Sequence, residues 1–253
     1  MDLGLSGKKA IVTGSTRGIG RRIVESLLAE GCDVAIGARK ADEVEQALGE
    51  LAGRPGKAVG AAVDVMDGEA YQRWIADMGD KLGGIDIFVH NVSAGGSMDG
   101  EASWRNCFEA DVLGAVRGVE AATPYLEKSG EASVIFIGTT ASVETFMAPM
   151  AYNALKASLI TYAKQLSQHV GAQGIRVNVV SPGPIYFKGG AWEQIEQGMP
   201  ELYDTHVALH PTHRMGKPEE IARAVTFLAS PAASWINGVN LVVDGGYTKR
   251  VQF

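Results

Sequence analysis

From residue 9 to residue 243 the sequence alternates between short apolar runs and longer stretches in which apolar residues recur at helical spacing, and this alternation constrains the fold more tightly than any other feature. The strand-like runs are 9–13, 33–37, 58–63, 85–90, 133–137, 176–180 and 240–243. Several are continuously apolar, as in Ile87-Phe88-Val89 and Val134-Ile135-Phe136-Ile137, the pattern of strands covered on both faces. Helices are predicted between them, near 18–30, 40–52, 68–81, 101–127, 150–171, 190–208 and 217–229. Strand–helix alternation of this kind requires a parallel sheet with right-handed crossovers and helices on both faces. The expectation is a doubly wound α/β fold with a sheet of about seven strands. No linker or shift of composition divides the chain, so residues 1–253 are read as one domain.

Composition narrows the function. The chain has 23 basic and 29 acidic residues, a net charge of -6, which argues against a nucleic-acid partner. No apolar run reaches the length needed to span a bilayer, so no membrane partner is expected. Cys32 and Cys107 are the two cysteines, without metal-ligand spacing or a disulfide framework, which suits a reducing, cytoplasmic compartment. His206, His210 and His213 follow no zinc pattern, and no metal site is predicted.

Thr13-Gly14-Ser15-Thr16-Arg17-Gly18-Ile19-Gly20 joins the first strand to the first helix. Gly14 suits a tight turn, Gly18 lets the backbone approach a ligand, and Gly20 lets the helix lie close to the strand. The free N–H groups at the start of that helix suit a pyrophosphate, so a Rossmann-type dinucleotide site is expected over residues 14–20. At the end of the second strand, an NAD site would place an acid against the ribose 2′-hydroxyl. Here Ala38-Arg39-Lys40 stands instead, with Arg17 in the glycine turn. A guanidinium holds a 2′-phosphate through paired, charge-assisted hydrogen bonds, so NADP(H) is preferred and NAD(H) remains possible.

Tyr152 and Lys156 are spaced i, i+4 in a predicted helix and share one face. A cation beside a phenol favours the phenolate and lowers its pKa from about 10, making Tyr152 a usable proton donor and acceptor.

The glycine turn at the front and Tyr152-x-x-x-Lys156 in the middle together resemble the short-chain dehydrogenase/reductase family, along the whole chain. The resemblance implies hydride transfer between a nicotinamide and a carbonyl or secondary alcohol. Tyr152 would then exchange the proton, while Lys156 would lower its pKa and bind the nicotinamide ribose. It further implies that Asp64 and Val65 contact the adenine, and that Asn91-Val92-Ser93-Ala94-Gly95 corresponds to the family's Asn-Asn-Ala-Gly loop, putting Asn91 and Ser93 by the cofactor. Ser181-Pro182-Gly183-Pro184-Ile185 resembles the loop meeting the nicotinamide, with Pro182, Gly183 and Ile185 as contacts. Val243-Asp244-Gly245-Gly246 resembles the C-terminal signature.

Two positions depart from the family pattern. Thr139 stands where the family has a serine, thirteen residues before the tyrosine, and keeps the hydroxyl. Asp111 stands where the family has an asparagine that holds a water linking the lysine to solvent. An ionised carboxylate accepts hydrogen bonds from water but cannot donate them, so the proton relay either survives or is changed.

Beyond Pro184, Trp192, Ile195, Met199, Leu202 and Tyr203 recur at intervals of three and four, which predicts an amphipathic lid over a substrate site at about 186–210. Ser93, Gly95, Gly96, Thr145, Phe146, Met147, Ile185, Tyr186, Trp192 and Met199 are candidate walls, largely apolar, suited to a medium-sized carbonyl compound. The resemblance implies a homotetramer. Competing readings are a 3-oxoacyl-thioester reductase of the same family and a cofactor-binding regulator without turnover.

Overall fold

The computed structural model describes residues 2–251. Its strands are β1 (Lys9–Thr13), β2 (Asp33–Ala38), β3 (Ala58–Ala62), β4 (Ile87–His90), β5 (Ala132–Ile137), β6 (Ile175–Pro182) and β7 (Asn240–Val243). They form one sheet in the order β3-β2-β1-β4-β5-β6-β7, and every adjacent pair is parallel. The helices are α1 (Gly18–Ala29), α2 (Ala41–Leu51), α3 (Gly68–Leu82), α4 (Gly100–Cys107), α5 (Gly114–Ser129), α6 (Ala151–His169), α7 (Ala191–Gly198), α8 (Pro200–Leu209) and α9 (Pro218–Ala229).

The pleat explains the continuous apolar runs. Val12, Val89 and Ile135 point to the face covered by Ile23, Leu27, Val225 and Leu228 of α1 and α9. Their neighbours Ile11, Phe88 and Val134 point to the opposite face, against Tyr71, Ile75, Val119 and Leu159 of α3, α5 and α6. Each such side chain, taken fully from water, stabilises the fold by about 1.5–3 kcal/mol before conformational entropy is subtracted. Helix boundaries follow local chemistry. Asp67 caps α3 by accepting from the Ala70 N–H at 3.1 Å, and Gly83 ends the helix in the left-handed region. Glu220 caps α9 by accepting from the Lys217 N–H at 2.8 Å.

Two stretches predicted as continuous helices are interrupted. Residues 101–127 change winding at Phe108–Leu113, a π-helical stretch between α4 and α5 that carries Asp111. Such insertions recur at functional sites because they re-aim a side chain. Residues 190–208 break at Met199, since Pro200 starts a new helix and cannot continue the old one. Met199 is consequently half-exposed and drops off the apolar stripe on which the sequence placed it.

The strand order reverses between β1 and β4, and the loops at their carboxyl ends open a crevice there. Among the described residues no helix is long and apolar enough to cross a membrane.

Candidate active site

The glycine turn is shaped from behind. The Asn91 side-chain amide donates to the Thr13 and Gly14 carbonyls at 3.1 and 3.0 Å, and the Asn91 N–H donates to the Thr13 hydroxyl at 3.0 Å. Both amide hydrogens of Asn91 are therefore spent on the turn, and its influence on a ligand runs through the turn's shape. A Cβ on Gly20 would overlap the Gly14 carbonyl and the Asn91 amide, so the close approach of α1 to β1 requires glycine there. Ser15 is fully buried. Its hydroxyl donates to the Val12 carbonyl at 2.7 Å and accepts from the Gly37 N–H at 3.0 Å, so its side chain faces β2 rather than the crevice.

α1 begins without a side-chain cap and without an acid in its first turn, leaving a positive helix end. These features fit a dinucleotide diphosphate. Gly18, at φ +57°, has a neighbour that sequence reasoning missed: a Cβ there would lie 2.7 Å from the Phe187 ring. The side of Gly18 on which a Cβ would sit is covered by an aromatic side chain.

Around the turn, Arg39 is exposed and free of ion pairs among the described residues. Arg17 is also exposed and donates to the Gly189 carbonyl at 3.4 Å. Thr16 lines the adjoining cleft with Gly18, and Ile19 packs on the core beneath it. Asp64 is exposed and accepts from the Met66 N–H at 3.0 Å, beside buried Val65. Ser93 accepts from the Gly95 N–H at 3.0 Å. Pro182 ends β6 against Val243 of β7, Gly183 packs on Asp244, and Ile185 is held by a bridge to Gly216.

The second cluster lies at the carboxyl ends of β4 and β5. α6 starts at Ala151, so Tyr152 sits in its first turn and Lys156 one turn on. The Lys156 ammonium donates to the Ile137 carbonyl at 2.8 Å and to the Val92 carbonyl at 3.5 Å, and pairs with Asp111 Oδ1 at 3.0 Å. The other Asp111 oxygen accepts from the Ala94 N–H at 3.0 Å. Both side chains of the pair are sealed from water. At Asp111, where the relay was expected either to survive or to be changed, the carboxylate meets Lys156 directly and is itself shut off from solvent.

Thr139 is buried, with its hydroxyl beside the half-buried Tyr152 phenol and accepting from the Ala141 N–H at 3.2 Å. Burial pushes the Tyr152 phenol above its ordinary value. Lys156 and the Thr139 hydroxyl pull it down, and Asp111 pushes it up again. The lowering expected from Lys156 alone is thus outweighed by desolvation of the phenol. His90, which the sequence did not single out, completes the cluster. It is fully buried at the end of β4, and burial, reinforced by Lys156, pushes its imidazole down to about 3, so it is neutral at pH 7.

On the substrate side, α7 and α8 cover the loop after β5 through an aromatic cluster. Trp192 and Phe146 stack edge-on with centroids 6.1 Å apart, and His206 lies 5.0 Å from Trp192. His206 Nδ1 is 2.6 Å from the Tyr247 hydroxyl, which ties α8 to the C-terminal segment. Tyr186 donates to Glu196 at 2.6 Å, which pushes its phenol up to about 12. Nothing in the sequence announced Tyr247, because its partner is 41 residues away.

Comparison with known proteins agrees with this architecture. The family described as enoyl-(acyl carrier protein) reductase matches residues 14–248. The chain is 39% identical over 257 residues to the isoepoxydon dehydrogenase patN of Penicillium expansum, covering 99% of this chain and 98% of that one. Among solved structures it is similar to L-sorbose reductase from Gluconobacter frateurii complexed with NADPH and L-sorbose. That likeness has a TM-score of 0.90 at 29% identity and covers 99% and 100% of the two chains. It is also similar to 7α-hydroxysteroid dehydrogenase complexed with NADH and 7-oxo glycochenodeoxycholic acid, with a TM-score of 0.90 at 28% identity, covering 99% and 98%. Fold and site therefore define an NAD(P)-dependent oxidoreductase that transfers a hydride between its cofactor and an alcohol or carbonyl substrate. The chain belongs to the short-chain dehydrogenase/reductase family.

Proposed function

We propose that the protein is an NADP(H)-preferring reductase of a medium-sized carbonyl compound, or the dehydrogenase of the corresponding secondary alcohol, with Tyr152 as its proton donor and acceptor. The observation that carries this reading is the convergence of Tyr152, Thr139 and Lys156 where β5 and α6 meet the crevice. A bound nicotinamide supplies or accepts the hydride. Tyr152 gives its phenolic proton to the carbonyl oxygen in reduction and takes the hydroxyl proton in oxidation. Thr139 orients that oxygen by hydrogen bonding. Lys156, fixed by Asp111 and the Ile137 carbonyl, presents a positive charge under the phenol and toward the ribose.

The α1 terminus and the main chain of residues 14–20 hold the diphosphate, Asp64 and Val65 flank the adenine, and the loop at Pro182–Ile185 faces the nicotinamide. Arg39 and Arg17 supply the preference for a 2′-phosphate. Residues 186–210, as α7 and α8, form a lid whose aromatic cluster walls the substrate side. The free, buried thiols of Cys32 and Cys107 support a cytoplasmic setting. Exposed Trp104 and Phe108 on α4 and the π-helical stretch, with Trp235 98% exposed before β7, support a homotetramer.

The test is NADPH oxidation against a panel of ketones by wild type and Tyr152→Phe. Loss of turnover in the variant with cofactor affinity retained is expected. Equal rates on any turned-over substrate refute the role of Tyr152. Similarity to the 3-oxoacyl-[acyl-carrier-protein] reductase FabG of Vibrio cholerae, 33% identical over 250 residues, favours a second reading, reduction of a 3-oxoacyl thioester. The same panel, extended to a 3-oxoacyl thioester, separates the two.

A further inference from the structure

We infer that Phe187 is the gate of the dinucleotide site: its ring holds the place over Gly18 that the diphosphate takes. The inference rests on the reading of residues 14–20 as the diphosphate cradle.

The chain after β6 is paired with the strand-like segment at Gly216 as far as Tyr186. Ile185 bridges Gly216, the Tyr186 N–H donates to the Gly216 carbonyl at 2.9 Å, and the Gly216 N–H donates to the Pro184 carbonyl at 2.9 Å. Phe187 is the first residue past that anchor. It opens a turn closed by the Gly190 N–H on the Phe187 carbonyl at 3.0 Å, and α7 follows at once. The ring lies between two glycines. A Cβ on Gly18 would be 2.7 Å from it and a Cβ on Gly190 3.0 Å, so both bare backbones are used to seat the ring. The hydrogen bond from Arg17 to the Gly189 carbonyl latches the same turn to the glycine loop.

The seat is also the positive end of α1, which has no capping side chain and no acid in its first turn. An apolar ring satisfies none of those N–H groups, whereas a diphosphate satisfies several. Phe187 is only partly buried, packed against the core with Ile19, and it borders an open cleft of about 720 Å³ lined by Thr16, Tyr186, Lys188 and Tyr203. The ring therefore has somewhere to go. Cofactor entry displaces it into that cleft, and because the turn leads directly into α7, the displacement shifts the start of the lid. The closed gate lowers apparent cofactor affinity by the fraction of molecules in which it is open.

The test compares wild type, Phe187→Ala and Phe187→Leu by NADPH and NADH fluorescence titration and stopped-flow association, with thermal unfolding as a check on folding. Removing the ring is expected to tighten both dinucleotides about tenfold and to raise the association rate, the result for a gate open in about a tenth of molecules. Phe187→Leu, which keeps apolar contact with the core, is expected to fall between and carries the test should the alanine variant unfold. Unchanged or weaker binding in a folded variant overturns the gate and makes the ring a platform under the cofactor. Absence of binding to wild type and variants alike overturns the reading of residues 14–20, and the gate with it.

Discussion

Lys156 Nζ lies 3.0 Å from Asp111 Oδ1, with the two side chains 2% and 0% exposed, so the pair is a buried ion pair and not a surface contact. Its geometry follows from the π-helical stretch at Phe108–Leu113, which turns Asp111 inward beneath the crevice. A lysine held in this way has its charge balanced by a carboxylate, and both charges act on the Tyr152 phenol.

Asp111→Asn should move the pH dependence of turnover. Asp111 pushes the Tyr152 phenol up and Lys156 pulls it down, both acting against a background of burial that pushes it up. Removing the carboxylate leaves the pull of Lys156 uncompensated, so the apparent pKa of the phenol falls. Alcohol oxidation, which needs the deprotonated phenol, should then reach half its maximal rate at lower pH, by about one unit, the scale of one nearby charge. Rate profiles of wild type and variant between pH 6 and 11 measure this; an unmoved or upward-shifted limb contradicts it.

The pair should behave asymmetrically in stability. Lys156→Met strands the Asp111 carboxylate in the interior and is expected to cost about 3–5 kcal/mol. The double variant Lys156→Met with Asp111→Leu removes both charges and should recover most of that loss. Thermal or urea unfolding of these two variants and of Asp111→Leu alone closes the cycle, and a double variant less stable than either single one counts against it.

Thr139→Ser should retain turnover within a few-fold, because the hydroxyl remains beside Tyr152. Thr139→Val keeps the shape and removes the donor and acceptor, and should lower kcat about a hundredfold with little change in cofactor affinity. Steady-state kinetics on one accepted ketone distinguish the two.

Arg39→Glu should weaken NADPH binding about ten- to hundredfold while leaving NADH binding near its original strength, since hydrogen bonds to a charged group are worth about 1.5–3 kcal/mol. Fluorescence titration with each dinucleotide reads the effect directly. Equal loss for both would assign Arg39 to packing or to general attraction.

Light scattering should give a mass four times the 26.7 kDa of one chain. Trp104→Asp, which puts a charge on the exposed aromatic surface of α4, should yield smaller species. A wild-type monomer in solution would refute the tetramer.

The strands and most helices were legible because covered strands leave continuous apolar runs, and helices leave a period close to four. β1 and β7 fall at the predicted residues, and the helix carrying Tyr152 and Lys156 starts one residue from its expected place. The break at Met199 was missed because the apolar spacing runs on through Pro200, where the backbone cannot. Within the glycine turn, Gly20 behaves as local spacing implied, whereas Ser15 turns toward β2 because a strand residue across the sheet completes its hydrogen bonds.

By itself, the sequence determined the element order, the glycine turn and the spacing of Tyr152 and Lys156, because these depend on residues within a few turns of one another, and the regular alternation of strands and helices implied the parallel sheet. Tertiary structure alone decided three other things: that Asp111 meets Lys156 without reaching water, that Phe187 covers Gly18, and that Tyr247 closes onto His206. Each of these joins residues between 41 and 169 positions apart, and side-chain direction across such distances is set by the packing of the sheet and its crossovers, which no local pattern records.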